Sequence, residues 1–202
     1  MILRVTLEVE ANGAAVTSSN VVKMRYSTGV TGTTLRVEFG GHAPYIRVGE
    51  NGLLLLPFDG GTMPQLGLRD VIYKTFKLAE STSKNMPMTD HLAPISSSRG
   101  EMTYPLDDKV TPRIVFIYLP DRLTASTARR KSIDELAKDY GIIIKAIRLQ
   151  AVSERVTNTI KSVLPWIDLR DTRQPWYRRD LHRTTPGDYL INIYTFQVVG
   201  QL

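Results

Sequence analysis

The stretch that decides the fold opens the chain and reads Met1-Ile2-Leu3-Arg4-Val5-Thr6-Leu7-Glu8-Val9-Glu10. Its apolar residues alternate with polar ones, and a period of two places them on one face of a β-strand. The same alternation recurs in Val22, Met24 and Tyr26, and again in Leu35, Val37 and Phe39, with turns rich in Gly and Thr between them. Because one-sided antiparallel sheets alternate apolar and polar residues, we predict an N-terminal antiparallel sheet.

Turn and capping signals place the elements that follow. Strands over 45–48 and 53–56 flank an Asn51-Gly52 pair, which supplies the positive φ angles of a tight hairpin. An amphipathic stripe predicts a helix over 68–79, and an apolar run between two prolines predicts a buried strand over 113–119. The capping box Ser132-Ile133-Asp134-Glu135 begins a helix that ends at Gly141.

The remaining pattern closes the predicted fold. A strand over 142–149 completes a compact β-α-β unit, a helix over 152–163 stops before Pro165, and a last strand covers 189–199. We therefore predict an α+β fold, in which an N-terminal antiparallel sheet is followed by two to three helices packed against mixed C-terminal strands.

The chain is predicted to be one integrated domain over 1–202, since the last strand can rejoin the first sheet. An internal boundary, if there is one, falls in the polar segment 80–112, where no hydrophobic period survives and irregular structure is expected. Such a segment, when ordered, needs a surface to pack on, either in its own core or on a neighbouring subunit. It therefore reads as a linker, a lid or an assembly arm.

Composition removes several chemistries. The chain has no cysteine, which excludes disulfides, thiolate metal sites and a cysteine nucleophile. Its three histidines, His42, His91 and His182, are scattered and form no i, i+4 pair. No phosphate-binding glycine loop and no Gly-x-Ser-x-Gly turn occurs. We therefore expect a non-enzymatic protein that needs no cofactor and no metal.

Residues 168–183, here called the arginine-aromatic segment, rise above this background. The segment holds Arg170, Arg173, Trp176, Tyr177, Arg178, Arg179, His182 and Arg183, with three aspartates among them. Arginine forks bind carboxylate or phosphate bidentately, and Trp, Tyr and Arg are enriched at the energetic centres of protein interfaces. The aspartates favour protein contact over phosphate tracking. Internal ion pairing and binding of nucleic acid or an anionic surface remain the other interpretations.

A second basic cluster, Arg129-Arg130-Lys131, precedes the capped helix. It is interpreted as a solvated loop, or alternatively as a contact to nucleic acid or another anion. The formal net charge of +6, from 26 basic and 20 acidic residues, is too small an excess to decide between these interpretations.

The leading functional hypothesis is a self-associating structural or assembly protein, such as a virus- or phage-type matrix, capsid or connector subunit. A nucleic-acid-binding module that uses 129–131 and 170–183 is the alternative. An enzyme acting on a phosphorylated substrate, with Asp107, Asp108 and Asp121 as its acids, is the second alternative. The chain shows no signal peptide and no transmembrane segment, so we expect it in the cytoplasm or in a virion.

Overall fold

A computed structural model of the chain describes residues 1–28, 35–49, 52–58, 67–78, 88–98, 100–106, 114–118 and 128–164. The strands are β1 (Ile2–Ala11), β2 (Ala14–Thr28), β3 (Leu35–Gly40), β4 (Tyr45–Val48), β5 (Gly52–Leu55), β6 (Met102–Thr103), β7 (Ile114–Tyr118), β8 (Ala128–Lys131) and β9 (Ile142–Ala151). The helices are α1 (Leu68–Thr75), α2 (Met88–Ser97), α3 (Ile133–Tyr140) and α4 (Ile160–Val163). The α+β prediction is confirmed.

The described strands form two sheets. A five-stranded sheet has the order β3-β2-β1-β9-β6, and a four-stranded sheet has the order β4-β5-β7-β8. Every strand pair among the described residues is antiparallel. The opening stretch of the sequence thus forms the central strand of the larger sheet.

The alternation in β1 has the predicted structural effect. Leu3, Val5, Leu7 and Val9 are at most 2% exposed, and they lie opposite Ala151, Leu149, Ile147 and Ile144 of β9. Burying an aliphatic side chain of this size contributes about 1.5–3 kcal/mol, so this row anchors the sheet. The alternate residues form a polar outer face.

The β1–β2 hairpin turns at Asn12-Gly13, which the sequence prediction did not use. Both residues have positive φ, 53° and 78°, and Ala11 pairs with Ala14 directly across the turn. This is the two-residue geometry that Asn-Gly favours. As a result β2 begins eight residues before the first apolar residue, Val22, that marked it in the sequence.

Three of the four strands of the second sheet, β4, β5 and β7, were predicted from the sequence. β4 and β5 pair as a hairpin, with Tyr45 opposite Leu55 and Val48 opposite Gly52. The turn predicted at Asn51-Gly52 is wrong in position, because Gly52 is already the first residue of β5, and the positive φ of 62° lies at Gly49. β7 lies between β5 and β8, and it occupies the strand predicted over 113–119.

Capping interactions set the ends of the two better-predicted helices. In α3 the Ser132 Oγ accepts from the Glu135 N–H at 3.1 Å, the Glu135 carboxylate accepts from the Ser132 N–H at 2.6 Å, and Gly141 adopts φ 63°. α1 ends earlier than predicted because Lys77 takes φ 52°. The Leu78 N–H then donates to the Tyr73 carbonyl at 2.8 Å, which closes the helix in a Schellman-type cap.

The prediction of irregular structure over 80–112 is wrong in part. Residues 88–97 form α2, and Met102–Thr103 form β6. Pro94 lies inside α2 and Ile95 is fully buried. The partly buried Leu92 packs against the same core. Two apolar residues three positions apart therefore anchor this short helix, and one such pair is too little to show a period.

Three other local predictions are also corrected. The β-α-β unit does not form, since β7 and β9 belong to different sheets and α3 connects one sheet to the other. Residues 129–131 lie in strand β8 and not in a loop. The helix predicted over 152–163 is reduced to α4, because the backbone of 152–157 bonds instead to the larger sheet. The predicted strand over 189–199 lies outside the described residues.

Residues 152–159, here called the strap, cross one end of the larger sheet. The Val152 N–H donates to the Ile2 carbonyl at 3.1 Å, the Thr157 N–H donates to the Val21 carbonyl at 2.8 Å, and the Thr157 carbonyl accepts from the His42 N–H at 3.1 Å. These partners outcompete helical hydrogen bonds, which is a tertiary override of the local pattern. The strap thereby joins β1, β2 and the β3–β4 corner.

The buried side chains of both sheets belong to one cluster, which includes Leu3 and Val22 from the larger sheet and Leu54 and Ile114 from the smaller. Phe39 stacks on Phe58 with ring centroids 5.0 Å apart. Among the described residues, no helix is both long and apolar enough to cross a membrane.

Candidate assembly surface

The arginine-aromatic segment lies outside the described residues, as do Asp107, Asp108 and Asp121. Its assignment to protein contact therefore stays a prediction. The described chain reaches Leu164, which is fully buried, only a few residues before the segment begins.

The basic cluster lies on β8, an edge strand of the described four-stranded sheet. Arg129 is in register with Phe116, and Arg130 with Val115. Lys131, the third member, makes contacts within the protein. Its Nζ donates to Asp139 Oδ2 at 3.1 Å and lies 5.7 Å from the centre of the Tyr140 ring.

These contacts make Lys131 a link between β8 and α3. The hydrogen bond to Asp139, aided by the nearby acidic charges, raises the pKa of Lys131 above its ordinary value. The ammonium is therefore charged and internally paired at physiological pH, so it is a weaker candidate for an anion contact than its place in the sequence indicated.

The outer face of the larger sheet carries a row of ion pairs. The Arg148 Nη2 donates to Glu8 at 3.1 Å, and its Nη1 donates to Glu101 at 3.1 Å. The Nε lies 2.8 Å from Glu8 Oε1 but makes no hydrogen bond, so this third contact is an ion pair only. The hydrogen bonds to Glu8 and then to Glu101 raise the pKa of Arg148.

The neighbouring charges on this face are paired in the same way. Lys145 Nζ lies 2.7 Å from Glu10 Oε2, and Arg4 pairs with Glu154 and Gln150. In a row of this kind, opposite charges on neighbouring strands pair with each other, so the charged groups have their partners within the sheet. It accounts for the polar alternation of β1 without requiring an external ligand.

The outer edge of β9 differs in character from this face. On that side β6 pairs only with Leu149 and Arg148, and the Tyr104 N–H donates to the Ile147 carbonyl at 2.8 Å. Among the described residues no strand lies beside Ile142–Ala146, a stretch here called the β9 edge. Unpaired strand edges of this kind are templates for pairing with another chain.

Exposed apolar side chains accompany the β9 edge. Ile143 is 40% exposed. Tyr140, which is separated from the start of β9 by Gly141, is 39% exposed. Met102 on β6, at 38%, is the third large hydrophobic residue exposed in the described part of the chain. All three belong to β9 itself or to the elements that flank it, and Tyr140 and Ile143 lie at the start of β9 while Met102 lies opposite Leu149 near its end.

Sequence reasoning missed this surface, although its signal was present. The run Ile142-Ile143-Ile144 was interpreted only as a strand, and an apolar residue at every position is more than a one-sided strand requires. The excess residue, Ile143, is the one on the outer face beside Glu10.

Within the described residues, no three His, Asp or Glu side chains come together in a way that could hold a metal ion. His42 instead has a structural contact, since its Nδ1 accepts from the Ile160 N–H at 3.0 Å and fixes the start of α4. Compared with known proteins, the chain matches no protein-family model, no curated protein and no solved structure.

Proposed function

We propose that the chain is a non-enzymatic, self-associating subunit of a larger assembly, of the matrix, capsid or connector type found in viruses and phages. The observation that carries this proposal is the β9 edge, which has no described strand on its outer side and which holds the exposed Ile143, close after the exposed Tyr140. The arginine-aromatic segment, with its Trp, Tyr and Arg composition, is proposed as a second subunit contact.

The charge arrangement supports assembly over nucleic-acid binding. The outer face of the larger sheet pairs its charges internally, and Lys131 is bound to Asp139. A phosphate-binding surface needs cations that can exchange an internal partner or water for phosphate at little cost. We place the action of the protein in the cytoplasm or in the virion, where such subunits assemble.

Analytical ultracentrifugation of the full chain over a wide concentration range tests this function. We expect the mean molar mass to rise with concentration above the 22.7 kDa of one chain. A chain that stays monomeric at the highest soluble concentration would reject self-association. A nuclease-treated sample run in parallel separates association of the protein from cross-bridging by nucleic acid.

A further inference from the structure

The direction of the backbone groups along β9 specifies how its edge can be used. The Ile147 carbonyl points away from β1, because it accepts from Tyr104. Ile147 lies opposite Leu7 of β1. Every second residue of β1 after Leu7 directs its backbone groups to the same side, and these residues, Val9 and Ala11, lie opposite Ile144 and Ile142. Because backbone groups alternate in direction along an antiparallel strand, Ile142 and Ile144 also direct their N–H and C=O outward.

A bulge defines where this regular edge stops. The register shifts between Glu8 and Val9, which lie opposite Ala146 and Ile144, so Lys145 is the extra residue on β9. Bulges and edge lysines both limit edge-to-edge pairing. They leave a short segment centred on Ile143 as the part of the edge that can accept a strand.

We infer that the partner at this edge is a second copy of the same chain, paired antiparallel to β9 about a two-fold axis at Ile143. This inference rests on the proposed self-association and names its contact. In this register Ile142 of each copy lies opposite Ile144 of the other, and both residues exchange their outward N–H and C=O groups. Four backbone hydrogen bonds result from the geometry of hydrogen-bonded antiparallel pairs.

The side chains are self-complementary in the same register. Ile143 meets its own copy at a non-hydrogen-bonded position, where side chains approach most closely, and its exposed fraction of 40% becomes covered. Lys145 falls opposite Gly141, so no like charges oppose each other, and Glu10 neutralises the lysine within its own chain at 2.7 Å. A register centred on Lys145 would place two lysines together and is disfavoured.

Because the chain has no cysteine, a single introduced thiol reports the register directly. In Ile143→Cys the two thiols lie across the axis at a Cα separation of about 4.5 Å, within the range for a disulfide. In the matched control Lys145→Cys the two copies lie four residues apart along the strand, about 13 Å. We expect about tenfold more disulfide-linked dimer from Ile143→Cys under mild oxidation. Equal yields, or more from the control, would overturn the register.

Two further measurements separate this inference from the proposed function. Ile143→Asp places two carboxylates at the axis, and we expect it to weaken dimerisation about tenfold or more in ultracentrifugation. If the unsubstituted chain associates but Ile143→Asp associates equally well, the β9 contact is wrong while self-association stands. If the unsubstituted chain does not associate at all, the proposed function fails as well.

Hydrogen exchange identifies the occupant of the edge without any substitution. We expect the Ile142 and Ile144 amides to exchange fast in dilute monomer and to become protected as the chain is concentrated. Protection that does not depend on concentration would show that the chain covers its own edge, and it would reject the second copy as partner.

Discussion

At the scale of single residues, a few positions carry a conformation that only their neighbours explain. Gly41 has φ 98°, and a Cβ added there would lie 2.3 Å from Val156 Cγ1 and 3.4 Å from the Thr157 carbonyl oxygen. Gly13 has φ 78°, but a Cβ there would meet no atom within 4 Å. Comparing substitutions at the two glycines therefore distinguishes the cost of backbone strain from the cost of steric overlap with the strap.

We expect Gly13→Ala to cost about 1 kcal/mol of unfolding free energy, from the left-handed conformation alone. Gly41→Ala should cost clearly more, about 2–4 kcal/mol, because Val156 must also move. Urea unfolding of both variants beside the unsubstituted chain measures the two losses. Equal losses would mean that the strap does not lie against Gly41.

Thr157 carries a second effect at this scale. Its Oγ1 accepts from the Val21 N–H at 2.8 Å, so Thr157→Val keeps the shape but leaves a part-buried donor unpaired. We expect a loss of about 1–3 kcal/mol in urea unfolding. Thr159→Val is the control, because its hydroxyl contact to the Tyr45 hydroxyl is exposed and should contribute less. A larger loss in the control would show that the strap is held elsewhere.

At the scale of elements, α3 is the helix whose sequence signal and structure agree most fully. Ser132→Ala removes the Oγ that accepts the Glu135 N–H and should cost about 1 kcal/mol. Ser153→Ala, at an exposed position of the strap, serves as control and should change stability little. Thermal or urea unfolding measures both, and equal stability of the two variants would argue against the cap.

The Lys131–Asp139 contact joins α3 to β8 and makes stability depend on pH. The raised pKa means that the folded chain holds this proton more tightly than the unfolded chain, whose value is near 10.5. Its stabilising contribution is therefore fully present below about pH 10.5 and is lost as the pH rises through the folded-state value. Asp139→Ala should be less stable at neutral pH, and the difference should shrink above about pH 10.5 in urea unfolding. A difference that stays constant with pH would contradict this link.

The elements also show what the sequence could and could not determine. β1, the two strands of the β4–β5 hairpin and α3 were predictable because their signals are local: apolar–polar alternation, two short apolar runs separated by turn residues, and a capping box. The strap was not, because the partners of Val152 and Thr157 are Ile2, Val21 and His42, far away in sequence. α2 is anchored by the buried Ile95 and the partly buried Leu92, and a single i, i+3 pair is too short to show a period. The β9 edge could not be predicted either, because only the order of the strands in the sheet shows which side of β9 has no described neighbour.

At the scale of the whole molecule, the two faces of the larger sheet differ in what they contact. The face of the larger sheet that carries Leu3, Val5 and Leu7 is buried, while its other face carries paired charges. The exposed apolar side chain of β9, Ile143, accompanies the β9 edge and is not part of a broad apolar face. Association should therefore depend on backbone hydrogen bonds and a small apolar contact, with little contribution from long-range charge.

Because the proposed dimer contact consists of backbone hydrogen bonds and a small apolar contact, we expect dimerisation to depend only weakly on salt. We expect the dimer dissociation constant to change by less than about threefold between low and high ionic strength, because ion release is small when no charge crosses the interface. Nucleic-acid binding through 129–131 and 170–183 behaves in the opposite way, since a protein with six or more phosphate contacts loses about a thousandfold in affinity from 50 to 200 mM salt. Two measurements across the same salt series compare assembly with nucleic-acid binding: sedimentation, and binding to a fluorescent oligonucleotide. Both are made with the unsubstituted chain and with a variant in which Arg178 and Arg179 are replaced by Gln. Association that collapses with salt, or tight oligonucleotide binding that is lost in the Gln variant, would move the function from assembly to nucleic-acid binding.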